Sequence, residues 1–160
     1  VGLSPRAPST RRGVAANPTT MAVSPDIQAT FDYLFGRAAK TLKGARSFEP
    51  FSTATTDRGE RTHSSTDLGS ITATPTQHIA ALLAELKARA KEGGLRAAGV
   101  VFNARTPMGM GGGEDSIVVH AETSDGEAVQ IYVPYTRKQT PIPLFSQPVI
   151  QDVAPSIFVA

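Results

Sequence analysis

The chain has 160 residues, 40% hydrophobic and 19% charged, which is the make-up of one globular domain with room for a single core. It contains no cysteine, which excludes disulfides, thiolate metal sites and a cysteine nucleophile. The basic balance is confined to Arg6, Arg11 and Arg12; the other 13 Lys+Arg face 14 Asp+Glu, so the body lacks the electrostatic footprint of a nucleic-acid binder.

Residues 1–23, rich in Pro, Ser, Thr and Arg and without apolar periodicity, read as a disordered extension. Arg11-Arg12 is not followed by the apolar stretch of a twin-arginine signal. Pro5, Pro8 and Pro18 oppose the amphipathic helix of a transit peptide. A native start at Met21 is the favoured expectation. Because no apolar run reaches the ~18 residues of a membrane helix, a soluble, cytoplasmic protein without membrane contact is expected.

A single α+β domain is expected over residues 24–138. Ser24-Pro25-Asp26 combines a hydroxyl cap, proline at the first helical position and an acid in the first turn. Ile27, Phe31, Leu34, Phe35, Ala38 and Leu42 then share one helical face, and Gly44 supplies the stop. In "FEPFSTATTDRGERTHSS", Asp57-Arg58-Gly59 reads as a three-residue turn of a weakly buried hairpin at a sheet edge. Residues 65–73 continue as strand or irregular chain around Ile71. Thr74-Pro75-Thr76-Gln77 is a capping box ahead of a second helix with Ile79, Leu82, Leu83, Leu86 and Ala90 inward, closed by Gly93-Gly94.

Three strands follow: "AAGVVFNAR", "DSIVVHAET" and "EAVQIYVPY". Ser124-Asp125-Gly126 joins the last two as a hairpin, pairing Val118 with Tyr132, His120 with Gln130 and Glu122 with Ala128. The fold expected is a two-layer α+β sandwich: an antiparallel sheet of about five strands, in the order α-β-β-α-β-β-β, with both helices on one face. Residues 139–160, broken by four prolines, read as an extended tail packed on the domain. Leu144, Phe145 and Ile157-Phe158-Val159 are its expected anchors, with a short edge strand at either Val149-Ile150 or Ile157-Val159.

The glycine knot Gly109, Gly111, Gly112 and Gly113 does not read as a phosphate cradle. A phosphate loop opens onto a helix N-terminus, whereas this one leads through Glu114-Asp115 into a strand. It reads instead as a hairpin tip whose Met108, Met110, Glu114 and Asp115 form a candidate partner loop. His120-Ala121-Glu122 matches the H-x-E of zinc deaminases, but the partner cysteines are missing and the pair lies on a strand. His63 and His78 are isolated, so no metal or other cofactor is expected. Neither a G-x-S-x-G elbow nor a P-loop occurs. The remaining candidate is a polar sheet face carrying Asn103, Arg105, His120, Glu122, Gln130 and Tyr132; half-exposed alternation reads it first as an ordinary solvated surface, and as a ligand or partner face if helices or the tail cover part of it.

The element order resembles the profilin-like and roadblock (dynein light chain) architecture over residues 25–135. That resemblance implies a dimerising scaffold for partners. The stretches "FEPFSTA", "AAGVVFNAR" and "AVQIYVPY" resemble small bacterial domains, a likeness that implies no activity. The leading expectation is a non-enzymatic interaction or regulatory domain, bound to a protein partner or to a second copy of itself. Two alternatives stay open: an immunity-type protein presenting Glu114-Asp115 to a toxin's basic cleft, and a small ligand binder or enzyme built around His120.

Overall fold

A computed structural model describes residues 10–12, 22–65, 74–110, 114–137 and 142–159. In chain order these form β1 (Thr10–Arg12), α1 (Pro25–Leu42), β2 (Phe51–Thr56), β3 (Arg61–Ser64), α2 (Pro75–Glu92), β4 (Leu95–Arg105), a 3-10 turn (Met108–Met110), β5 (Asp115–Thr123), β6 (Ala128–Thr136), β7 (Leu144–Phe145) and β8 (Val149–Asp152). All the strand pairings are antiparallel and run β1-β8-β6-β5-β4-β2-β3, with β7 beside the end of β6. The expectations for most of residues 1–23, for the stretch around Ile71, for Gly111, Gly112 and Gly113 and for Pro141 lie outside the described residues.

Local chemistry sets the helix ends. The Ser24 hydroxyl accepts from the Ile27 N–H at 3.3 Å, with Pro25 at the first helical position. At α2, Thr74 and Gln77 exchange side-chain-to-backbone hydrogen bonds of 3.2 and 2.8 Å, a complete capping box. Gly93, at φ +85°, ends that helix. Hairpin glycines do the same work between strands. Gly59 and Gly126 take φ of +85° and +105°, which L side chains rarely adopt, and the second fixes the β5–β6 register as the turn demands: Val118 opposite Tyr132, His120 opposite Gln130.

The α+β sandwich forms, and the helices take opposite faces of the sheet rather than one. Ile27, Phe31, Leu34, Ala38 and Leu42 of α1 bury against Val101, Ile117, Val119, Ile131, Val133 and Ile150. Leu82 and Leu86 of α2 bury against Ala54, Ala98 and Val100, joined by Ile157 from the C-terminal segment. The cause is visible in β4. Consecutive Ala97-Ala98 and Val100-Val101 are all buried, so both faces of this strand are covered, and a near-continuous apolar run is what such a strand requires.

Three further differences stand beside that double cover. First, β2 is buried along Phe51–Thr55, not weakly buried at an edge. Its hydroxyls are satisfied within the sheet, Thr53 donating to the Thr62 carbonyl at 2.6 Å and Ser52 to that of Ser64 at 3.4 Å. The edge strand of this hairpin is β3. Second, the sheet is wider than five strands. β8 pairs with β6 through Val129, Gln130, Ile131 and Tyr132, and β1 pairs with β8 where no regular structure is expected. Third, the tail anchors through Phe145, packed edge-on to Phe35, and through Ile157, whereas Leu144 is 65% exposed.

Candidate functional site

The β4–β5 register, Val100 opposite His120 and Asn103 opposite Ile117, divides the six residues expected on one polar face. His120, Glu122, Gln130 and Tyr132 share the α2 side. Asn103 and Arg105 lie on the α1 side, because β4 pairs one residue away from the parity that would unite them. There the Asn103 Oδ1 accepts from the Tyr135 hydroxyl at 2.5 Å, and exposed Arg105 stands opposite Asp115 at the strand end.

The α2-side group is covered rather than solvated. Glu122 is fully buried, and the C-terminal segment wraps its carboxylate. Three successive backbone N–H groups donate to it: Ser156 at 2.8 Å, Ile157 at 2.9 Å and Phe158 at 3.1 Å. The Ser156 hydroxyl adds a fourth bond at 3.0 Å and His120 Nε2 a fifth at 2.5 Å. Burial by itself pushes a carboxyl up, but the His120 bond and the three backbone donors outweigh it and hold Glu122 at about 2. Glu122 is therefore an anion held in a concave row of main-chain donors, and it fastens the segment Ser156–Phe158 to β5.

His120 stands between this latch and open space. Its side chain is 10% exposed. Together with Gln130, its cross-strand partner, it borders a half-open cavity of about 260 Å³. Ile79 and Leu83 of α2, Phe102 of β4, and Val153 and Ala154 of the C-terminal segment supply apolar walls. The fourth residue of the set on this side, Tyr132, does not border the cavity, and burial raises its phenol above the ordinary value.

Ser156, His120 and Glu122 hold the residue types of a hydrolytic triad in the wrong arrangement. A triad places the acid on one ring nitrogen and the serine on the other, so that a proton can pass through the imidazole. Here Ser156 Oγ at 3.3 Å and Glu122 at 2.5 Å both address Nε2, and the hydroxyl donates directly to the carboxylate. This favours a structural role for Ser156.

Of the expected partner loop, Met108 is 87% exposed, Asp115 is exposed and Glu114 half-exposed; Met110 closes the 3-10 turn. The loop leads from β4 into β5 with no helix after it, as the reading against a phosphate cradle requires. A wider groove of about 760 Å³ lies at this end, lined by Lys43, Arg46, Asp115, Tyr135 and Arg137. Its Arg137 donates to the carbonyls of Leu42 at 2.8 Å and Ala45 at 2.7 Å, closing the C-terminal end of α1. Elsewhere His63 Nδ1 pairs with the Tyr33 hydroxyl at 2.9 Å, and among the described residues no three His, Cys, Asp or Glu side chains gather as a metal site.

Sequence reading misses Ser156, Val153 and Ala154, since nothing in a proline-broken tail marks which residue meets which strand. A signal existed in Glu122: an acid in the apolar run "IVVHAE" needs donors from somewhere. Comparison with family models, with curated proteins and with solved structures yields no match.

Proposed function

We propose that this chain is a small non-enzymatic binding module that takes a small molecule in the cavity between α2, the sheet and the C-terminal segment. One observation carries the reading: a nearly buried imidazole, oriented by a buried anion, stands at the wall of a cavity whose apolar lining includes Ile79, Leu83, Phe102 and Val153. Apolar walls around a few fixed polar groups are the general form of a small-molecule site. The shared use of Nε2 by Ser156 and Glu122 supports binding over catalysis. An NMR screen of small aromatic and aliphatic probes tests it. Saturable shifts confined to Ile79, Leu83, Phe102 and Val153 are expected, and Leu83→Trp, which fills the cavity, abolishes them. Absence of any saturable binder at millimolar concentration overturns the reading.

A second reading, a homodimer, is favoured by a separate observation. Met108, Ile142 and Leu144 are 87%, 54% and 65% exposed, and the pairings of Arg105 with Asp115, Asp115 with Tyr135, and Thr136 with Leu144 bring their segments to one end of the sheet. Exposed apolar side chains gathered in this way are suited to a protein contact.

A further inference from the structure

The proposed cavity has a chemically defined polar atom, which narrows what it binds. Every neighbour of the Glu122 carboxylate donates to it: the N–H groups of Ser156, Ile157 and Phe158 and the Ser156 hydroxyl. With its oxygens acting only as acceptors, the proton between Glu122 and His120 belongs to the imidazole, on Nε2. A neutral ring protonated at Nε2 carries a lone pair on Nδ1. That atom has no partner among the described residues and is not one of the side-chain nitrogens sealed from solvent without a partner. The ring is nine-tenths buried, and the open space that His120 borders is this cavity.

Resting on the binding role above, we propose that the cavity takes a small neutral molecule with an apolar body and one hydroxyl, such as a phenol or a cyclic alcohol, whose O–H donates to His120 Nδ1. The Gln130 amide, across the strand pair from His120, is placed to complete the contact with the hydroxyl oxygen. Size agrees: an apolar cavity of about 150 Å³ holds benzene, so 260 Å³ suits one ring with a short substituent. A carboxylate would bring a second anion toward a lone pair and toward fully buried Glu122. An ammonium would be desolvated among apolar walls with the Glu122 oxygens already committed.

The test uses the full chain with its histidine rings labelled with ¹⁵N, at a pH where the His120 ring shifts report the neutral form. It is titrated in parallel with 4-methylphenol, toluene and benzoate. The His120 nitrogens are expected to show the Nε2–H tautomer, and 4-methylphenol alone moves Nδ1 saturably. Benzoate binds at least tenfold more weakly than 4-methylphenol, and Gln130→Ala, which leaves the Glu122 latch intact, weakens the phenol several-fold. An Nδ1–H tautomer, or benzoate binding as tightly as the phenol, overturns the ligand class while the cavity shifts still report a binding site. If toluene and the phenol bind equally, the hydroxyl contact is overturned and the apolar site remains. If none of the three probes shifts the cavity residues, the binding role itself fails.

Discussion

At the scale of single residues, two positions hold more of the fold than their size suggests. Gly99 lies directly beneath α1. A Cβ there would stand 2.8 Å from the His120 carbonyl oxygen and from Thr30 Cγ2, and 3.0 Å from Leu34 Cδ1. Two of those atoms are side-chain atoms of packed α1 and the third is β5 backbone, so Gly99→Ala forces a shift where helix and sheet meet. It is expected to cost about 1–3 kcal/mol in urea unfolding. Glu122 acts through charge. Its carboxyl titrates at about 2 in the native protein, against 4.5 for an ordinary glutamate. Between those values the unfolded chain binds the proton and the native chain does not, so stability falls as pH falls through that window. Above about pH 4.5 the contribution is fully present, at about 3 kcal/mol. Glu122→Gln should flatten the acid limb of stability between pH 4.5 and 2, measured by denaturant midpoints across that range.

At the scale of elements, the C-terminal segment closes the α2 face. Ile157, fully buried beside Leu82 and Leu86, joins that cluster as an anchor. Ile157→Ala should cost about 2–5 kcal/mol and loosen Val153 and Ala154 at the cavity wall, read as faster amide exchange there. Thr74→Ala at the α2 cap should cost about 1 kcal/mol, because it removes one half of a reciprocal pair of bonds. These elements differ in how far sequence reveals them. Both helix starts and the β5–β6 register are legible because hydroxyl caps, Pro25, Pro75 and Gly126 act within a few residues of their own position. Layering is not, since Val100 and Val101 are equally apolar and alternation cannot say which faces which helix. Asn103 and Arg105 are misplaced for a related reason. The register of β4 against β5 is set across a long glycine-containing loop, and a one-residue difference moves every side chain of a strand to the other face. The site itself is half legible: His120, Glu122 and Gln130 are found by pairing, while their cover from the tail is a long-range contact with no local signature.

At the scale of the whole molecule, protection should grade across the sheet. β4, β5 and β6 lie inside it, whereas β3 and β1 have one paired neighbour each among the described residues. Hydrogen exchange is therefore expected to be slowest at Val100, Val119 and Ile131 and fastest at Arg61–Ser64. Association is decided at the same scale. If the exposed Met108 and Leu144 meet a second copy, light scattering will give a dimer mass at micromolar concentration, and Met108→Ser with Leu144→Ser will return the monomer. A monomer in the unsubstituted protein sinks the homodimer reading and leaves the cavity untouched.

The Glu122 latch also orders events in time. Its carboxylate is translated more than thirty residues before Ser156, Ile157 and Phe158, so on the ribosome the anion emerges long before the donors that make its burial tolerable. β5 can pair with β4 and β6 during that interval, but the α2 face cannot close over an unsatisfied charge. A nascent chain stalled before Ser156 should stay open on that face and available to chaperones. Emergence of Ser156, Ile157 and Phe158 then lets that face close.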